Sequence, residues 1–328
     1  MIDRRAFMGA AVGGFIAAPF AAIAQPPAKV ARMGYLALSP REALPGAVAT
    51  MLTRLAELGY HEGQNLIFEF RNADTQDRLQ ELVAELVGIG VRVIFARGQD
   101  AIRAARAATT TLPIVGLDNE IDPVAAGYAA SLARPGGNLT GIFLDQPEIS
   151  AKQLQLLKEM MPTLSRVAVL WDPAVATAQR EAVEVAGSRL GIKIALIAWR
   201  GPDAVGTALR TASQAGAQGL IVLSTPRILD PRYRPIVAEA ALKSHLPAIG
   251  LTVLFAKDGL LMAYGPVQRD MDRSAATLVA KILDGTRPAD LPIERPVHFA
   301  LTVNQRTANA LGIKIPQSLL LRADEVIQ

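Results

Sequence analysis

The sequence predicts an α/β protein of two doubly wound lobes, and three observations carry that prediction. Short apolar runs alternate with amphipathic stretches from Val30 onward. Several of the runs, such as 91–96 and 167–170, are apolar almost throughout, as strands buried on both faces of a parallel sheet are. The alternation restarts after Gln146-Pro147. It gives about five β-α units in each half, with the helices serving as the crossovers that parallel pairing requires.

Taken in order, 30–38 reads as a strand and 45–58 as a helix closed by Gly59. Alternating apolar residues mark a strand over 65–71, followed by a helix over 75–87. Strands over 91–96, 112–117 and 139–144 then alternate with helices over 100–108 and 123–132. In the second half, helix 147–160 leads to strand 166–171, helix 174–190 and strand 193–198. Helix 203–215, strand 219–223, helix 231–244 and strand 246–250 continue the series. A strand over 260–264, a helix over 267–283, a proline-rich stretch over 288–296, a strand over 297–303 and a helix over 305–311 close it. This order predicts lobe one from 29–145 plus 265–290 and lobe two from 146–264 plus 291–328. The chain then crosses between lobes about three times, and such crossings make a hinge beside a cleft.

Residues 1–25 read as a twin-arginine-type signal peptide. Arg4-Arg5 with Phe7 supplies the positive region, 9–23 is apolar, and Ala22-Ile23-Ala24 gives a small-x-small cleavage pattern near Ala24/Gln25. At 1.5 Å per residue, a helix of about fifteen residues falls short of the ~30 Å hydrocarbon core. The expectation is a periplasmic protein with its leader removed.

Composition narrows the function classes. Of the 328 residues 51% are hydrophobic and 20% charged, which suits a large globular chain. The absence of cysteine excludes disulfides, thiol catalysis, cysteine metal sites and lipid anchoring through a cysteine. A net charge of +4 without a Lys/Arg block gives no nucleic-acid footprint. After the leader no apolar run approaches the ~18 residues of a membrane span. Gly136-Gly137-Asn138-Leu139-Thr140-Gly141 precedes a strand instead of joining strand to helix, so it fails as a dinucleotide loop. There is no phosphate loop of the GxxxxGK[ST] type and no GxSxG elbow. His61, His245 and His298 are far apart and outside any HExxH motif. The sequence therefore predicts neither an enzyme nor a bound cofactor or metal.

In open α/β sheets, ligands bind beyond the carboxyl ends of the strands. Applied to each strand, that rule selects Ser39, Gly98, Gln99, Asp118, Asn119, Glu120 and Phe143, with Asp145, in lobe one. In lobe two it selects Trp171, Asp172, Ser224, Thr225, Leu251, Thr252 and Tyr264. Amides at the helix starts near Asp100 or Ala174 suit a carboxylate. Asp118 or Glu120 suits an amino group, and Phe143, Trp171 and Tyr264 suit an apolar or aromatic body. Helix capping is the competing reading for Asp172-Pro173 and Asp122-Pro123, and core packing for Trp171 and Tyr264.

Five strings carry a resemblance: Glu57–Asn65, Leu132–Gly141, Val167–Pro173, Leu261–Pro266 and Leu319–Ile327. Together, and in this order, they resemble the ABC-transporter substrate-binding proteins that include the tryptophan/tyrosine uptake group. The resemblance implies a periplasmic-binding-protein fold of type 1, with two Rossmann-like lobes, three crossing segments and an enclosed ligand. It implies a monomeric solute carrier, without catalysis or a cofactor, that serves an ABC permease of the inner membrane. The alternatives are a periplasmic sensor presenting to a membrane receptor and, further off, an enzyme on a two-lobed scaffold. Arg97-Gly98-Gln99-Asp100 departs from the smaller, less polar residues of many relatives, which is expected to change the size or polarity of the pocket.

Overall fold

The computed structural model describes residues 30–38, 44–73, 75–119, 121–144, 146–173 and 177–328. The expected leader, Ser39, Glu120, Asp145 and the helix start at Ala174 lie outside these residues.

The first half builds strands β1 (Ala31–Ala37), β2 (Leu66–Asn72), β3 (Val93–Arg97), β4 (Ile114–Asp118) and β5 (Leu139–Phe143). They pair in parallel in the order β2-β1-β3-β4-β5. Helices α1 (Pro45–Glu57), α2 (Gln76–Gly88) and α3 (Gln99–Ala108) supply the crossovers. The second half runs α4 (Gln146–Met160), β6 (Arg166–Trp171), α5 (Thr177–Leu190), β7 (Lys193–Ala198), α6 (Pro202–Gln214) and β8 (Gly219–Val222). It continues through α7 (Pro226–Leu229), α8 (Arg234–Lys243), β9 (Ala248–Gly250), α9 (Val253–Lys257), β10 (Met262–Pro266) and α10 (Gln268–Leu283). The chain ends with β11 (Phe299–Asn304), α11 (Gln305–Ala310), α12 (Gln317–Leu320) and β12 (Glu325–Ile327). The second sheet has the order β12-β11-β10-β9-β8-β6-β7.

Each sheet is buried on both faces, which is why its strands read as apolar runs. On one face of the first sheet, Met33, Tyr35, Phe95 and Val115 pack with Met51 and Leu55 of α1 and with Met271, Ala275 and Val279 of α10. On the other, Leu36, Ile94 and Ile114 pack with Leu79 and Leu86 of α2 and Ile102 of α3. The second sheet is covered in the same way, with Leu154 and Val183 on one face and Leu209 and Val237 on the other.

The tail of the chain stitches the halves together. After β10, α10 returns to the first sheet, where Asp272 forms a 2.6 Å ion pair with Arg97 at the end of β3. The Glu57 carboxylate on α1 binds Arg273 at 2.8 Å, and this bond, helped by Arg54, holds its pKa down to about 2. The segment 291–294 then runs along β5: Glu294 N–H donates to Gly141 O at 2.9 Å and Phe143 N–H donates to Glu294 O at 3.0 Å. The third crossing therefore falls after Glu294, later than the sequence places it. β11 pairs antiparallel with β10, because it enters the second sheet from the edge where β10 leaves it.

Two other expectations are corrected. Residues 123–132 form turns, not a helix. Asp122 Oδ1 accepts from Val124 and Ala125 N–H, one turn forms, and Gly127 at φ +71° ends it. The helix placed at 231–244 begins later, and a separate short α7 precedes it. Asp230 Oδ1 accepts the Arg232 N–H and turns the chain between the two. Gly141 explains one of the recurring strings: a Cβ there would lie 2.0 Å from Gly116 O on β4.

Candidate functional site

The crossings locate the site. β5 ends at Phe143 and α4 starts at Gln146, β10 ends at Pro266 and α10 starts at Gln268, and Phe299 of β11 pairs with Pro266. Connectors this short reach only about 10 Å. The carboxyl edges of the two sheets are therefore held side by side. Leu144, Ile149 and Leu251 pack together there with Tyr264 and Phe299.

Each sheet also has a point where its strand order reverses. In the first it lies between β1 and β3, and in the second between β6 and β8. Helices diverge to opposite faces at such a point and leave a crevice open above the strand ends. Gly98 and Gln99 stand at the first crevice. Gly98, at φ +85°, is the N-cap residue of α3, and its N–H donates to Leu117 O at 2.9 Å. Trp171, Asp172, Ser224 and Thr225 stand at the second.

Further along the first rim, Asp118 is buried and its Oδ1 accepts the Ile121 N–H at 2.6 Å. The Asn119 Oδ1 beside it is buried and has no hydrogen-bond partner among the described residues. Phe143 departs from its expected stacking role. It is fully buried beneath α3, its ring filling the space above Gly116 next to Ile102.

On the second rim, Asp172 is buried and holds Arg227 of α7 in a side-on pair. Arg227 Nε lies 2.8 Å from Oδ2, and its Nη2 donates to Oδ1 at 3.1 Å. Trp171 is half-buried under the Arg180 guanidinium, whose carbon is 5.4 Å from the ring centroid. Thr225 is a helix cap, its Oγ1 accepting from Ile228 N–H at 3.3 Å. Ser224 Oγ and Thr252 Oγ1 are buried without hydrogen-bond partners among the described residues. Tyr264 stacks on Phe299 at 5.9 Å, and burial, followed by the charges of Glu148 and Asp324, pushes its pKa up. The phenol is thus a protonated donor at neutral pH.

Several residues that shape this rim were not evident in the sequence. Gln153 of α4 donates to Tyr264 O at 2.9 Å, and Gln179 of α5 donates to Ser224 O at 3.1 Å, both from buried positions. A buried Gln on a helix looks in sequence like a solvated one. Arg227 had a readable signal, since Thr225-Pro226 directly after an apolar strand is a helix start. Arg97, singled out for pocket polarity, turns instead into the protein toward Asp272.

Comparison with known proteins agrees with this architecture. The family model described as ABC transporter substrate binding protein matches residues 40–327. The tyrosine-binding protein of Clostridioides difficile (strain R20291) is 24% identical over 289 residues, covering 87% of this chain and 82% of that protein. Among solved structures, a conserved domain protein of Vibrio cholerae superposes with a TM-score of 0.81 at 25% identity, covering 91% of this chain and 100% of the other. An ABC domain from Streptococcus pneumoniae in complex with L-Trp gives 0.81 at 23% identity, covering 90% and 99%. The chain belongs to the ABC transporter substrate-binding protein family and has the type 1 periplasmic-binding-protein fold.

Proposed function

We propose that this protein is the exported, monomeric solute-binding component of an ABC importer. It takes up an amino acid, or an aromatic or aliphatic carboxylate, between the two sheet edges and delivers it to a membrane permease. The observation that carries the reading is a set of buried polar atoms on the two rims without partners among the described residues, Asn119 Oδ1 on one and Ser224 Oγ and Thr252 Oγ1 on the other. Buried polar groups are normally hydrogen-bonded, and leaving one unpaired costs about 1–3 kcal/mol. A ligand with polar ends that bridged the rims would offset that cost. Trp171 and Tyr264 offer ring surface for an apolar body. The tyrosine-binding relative and the L-Trp complex support this choice of ligand class.

Ligand contacts made to both lobes at once stabilise a closed arrangement over an open one, and the hinge supplies the motion. No helix among the described residues is long and apolar enough to cross a membrane. The twin-arginine leader supports export, and amino-terminal sequencing of the periplasmic form tests it. Calorimetry of the mature protein against amino acids and against aromatic and aliphatic acids tests the ligand class. Binding restricted to sugars refutes it. Small-angle scattering should show compaction at saturating ligand, and an unchanged profile counts against the closure cycle.

A further inference from the structure

We propose that Arg227 is the specificity-determining residue that binds the carboxylate of the ligand, with Asp172 as the residue that positions it. The inference rests on the binding reading above and deepens it by naming the group that selects an anion. Arg227 stands over the crevice where the order of the second sheet reverses, between the ends of β6 and β8. Its side chain is 61% exposed, while that of its partner Asp172 is only 3% exposed. The pair uses the Nε–Nη2 side of the guanidinium. Nη1 has no partner among the described residues, so the Nη1–Nη2 edge stays open. That edge presents two parallel N–H donors, the geometry that carboxylates accept in bidentate form.

Two other arginines near the strand ends are committed. Arg97 is 15% exposed and held by Asp272, and Arg180 is 23% exposed and bound to Glu181 and Glu184 while it covers Trp171. A lone exposed ion pair would carry little meaning. Here the carboxylate is buried, so the arginine has a fixed base to project from. Ser224 and Thr252, just past the ends of β8 and β9 in the same sheet, have hydroxyls that are buried without partners among the described residues.

Calorimetry provides the test. The wild-type protein is titrated with L-tyrosine, L-tryptophan, L-leucine and 3-phenylpropionate, and then with the primary amide of whichever acid binds most tightly. Arg227→Gln should weaken the acid about tenfold to a hundredfold, as expected for a charge-assisted contact. It should leave the amide nearly unchanged, so that discrimination between acid and amide falls toward one. Arg227→Lys should recover part of that discrimination, and Asp172→Asn should lose part of it. Thermal melting of each variant monitors the fold. Undiminished acid affinity in Arg227→Gln overturns the inference, as does an equal loss for acid and amide, while the binding reading survives either result. If no acid in the set binds the wild type, the ligand class fails and the inference falls with it.

Discussion

Both sheets carry an arginine–aspartate pair where their strand order reverses, and the two pairs differ in one respect. In the first, Asp272 is buried at 3% side-chain exposure and Arg97 is largely covered at 15%. In the second, Asp172 is as buried as Asp272, but Arg227 stands 61% exposed. The first pair ties β3 to α10, the helix that follows the second crossing, and so fastens the returning tail to the first lobe. Its charges face each other, with the Tyr35 hydroxyl beside them in the core. The second pair has the same chemistry with one edge turned outward. Burial of the cation, not the identity of the residues, separates a structural clamp from a surface that can meet a ligand.

The buried pair should show the largest effect. Asp272→Ala leaves Arg97 charged and unpaired inside the protein, and we expect a loss of about 3–5 kcal/mol in chemical denaturation. The double change of Arg97→Met and Asp272→Leu should recover most of that loss, because a packed apolar pair of similar volume is often as stable as the ion pair it replaces. At the other rim, Arg227→Gln should cost less, about 1–3 kcal/mol, since it takes the guanidinium from the buried Asp172 carboxylate but leaves an amide donor in its place and removes a cation that water already reaches. If it costs as much as Asp272→Ala, the distinction between the two rims fails.

The smallest effect is expected on the outside of the α1–α10 contact. The pKa of Glu57 is depressed from its ordinary value of 4.5 to about 2, first by its bond to Arg273 and then by that to Arg54. A depressed carboxylate pKa adds stability that is fully present above the ordinary value and lost as pH falls toward the folded one. The thermal midpoint of Glu57→Gln should therefore lie slightly below that of the wild type at neutral pH. The two should converge between about pH 4.5 and pH 2.

The periodicity of the sequence was enough to place β1 through β8 and the helices between them, because buried strands and amphipathic helices have distinct spacings. It failed over 123–132, where an apolar stretch between prolines looks helical. There the local hydrogen bonds of Asp122 and the left-handed Gly127 outweigh helix propensity. It also missed α9, α12 and β12, elements of three to five residues that are too short to show a period. The rule of strand ends brought Asp118, Asn119, Trp171, Asp172, Ser224 and Thr252 to the two rims. The same rule said nothing of which way a side chain turns, so Phe143 went to the core and Arg97 to Asp272.

The sequence by itself determined the α/β class, the two-lobed repeat and the family resemblance, because these depend on spacing along the chain. Only the tertiary structure decided the antiparallel β11, the late third crossing at Glu294 and the partners of the arginines. Those depend on contacts between residues far apart in sequence, such as Arg97 with Asp272, which carry no local signal. The rim arginine left facing outward, Arg227, became visible only once its buried partner was in place.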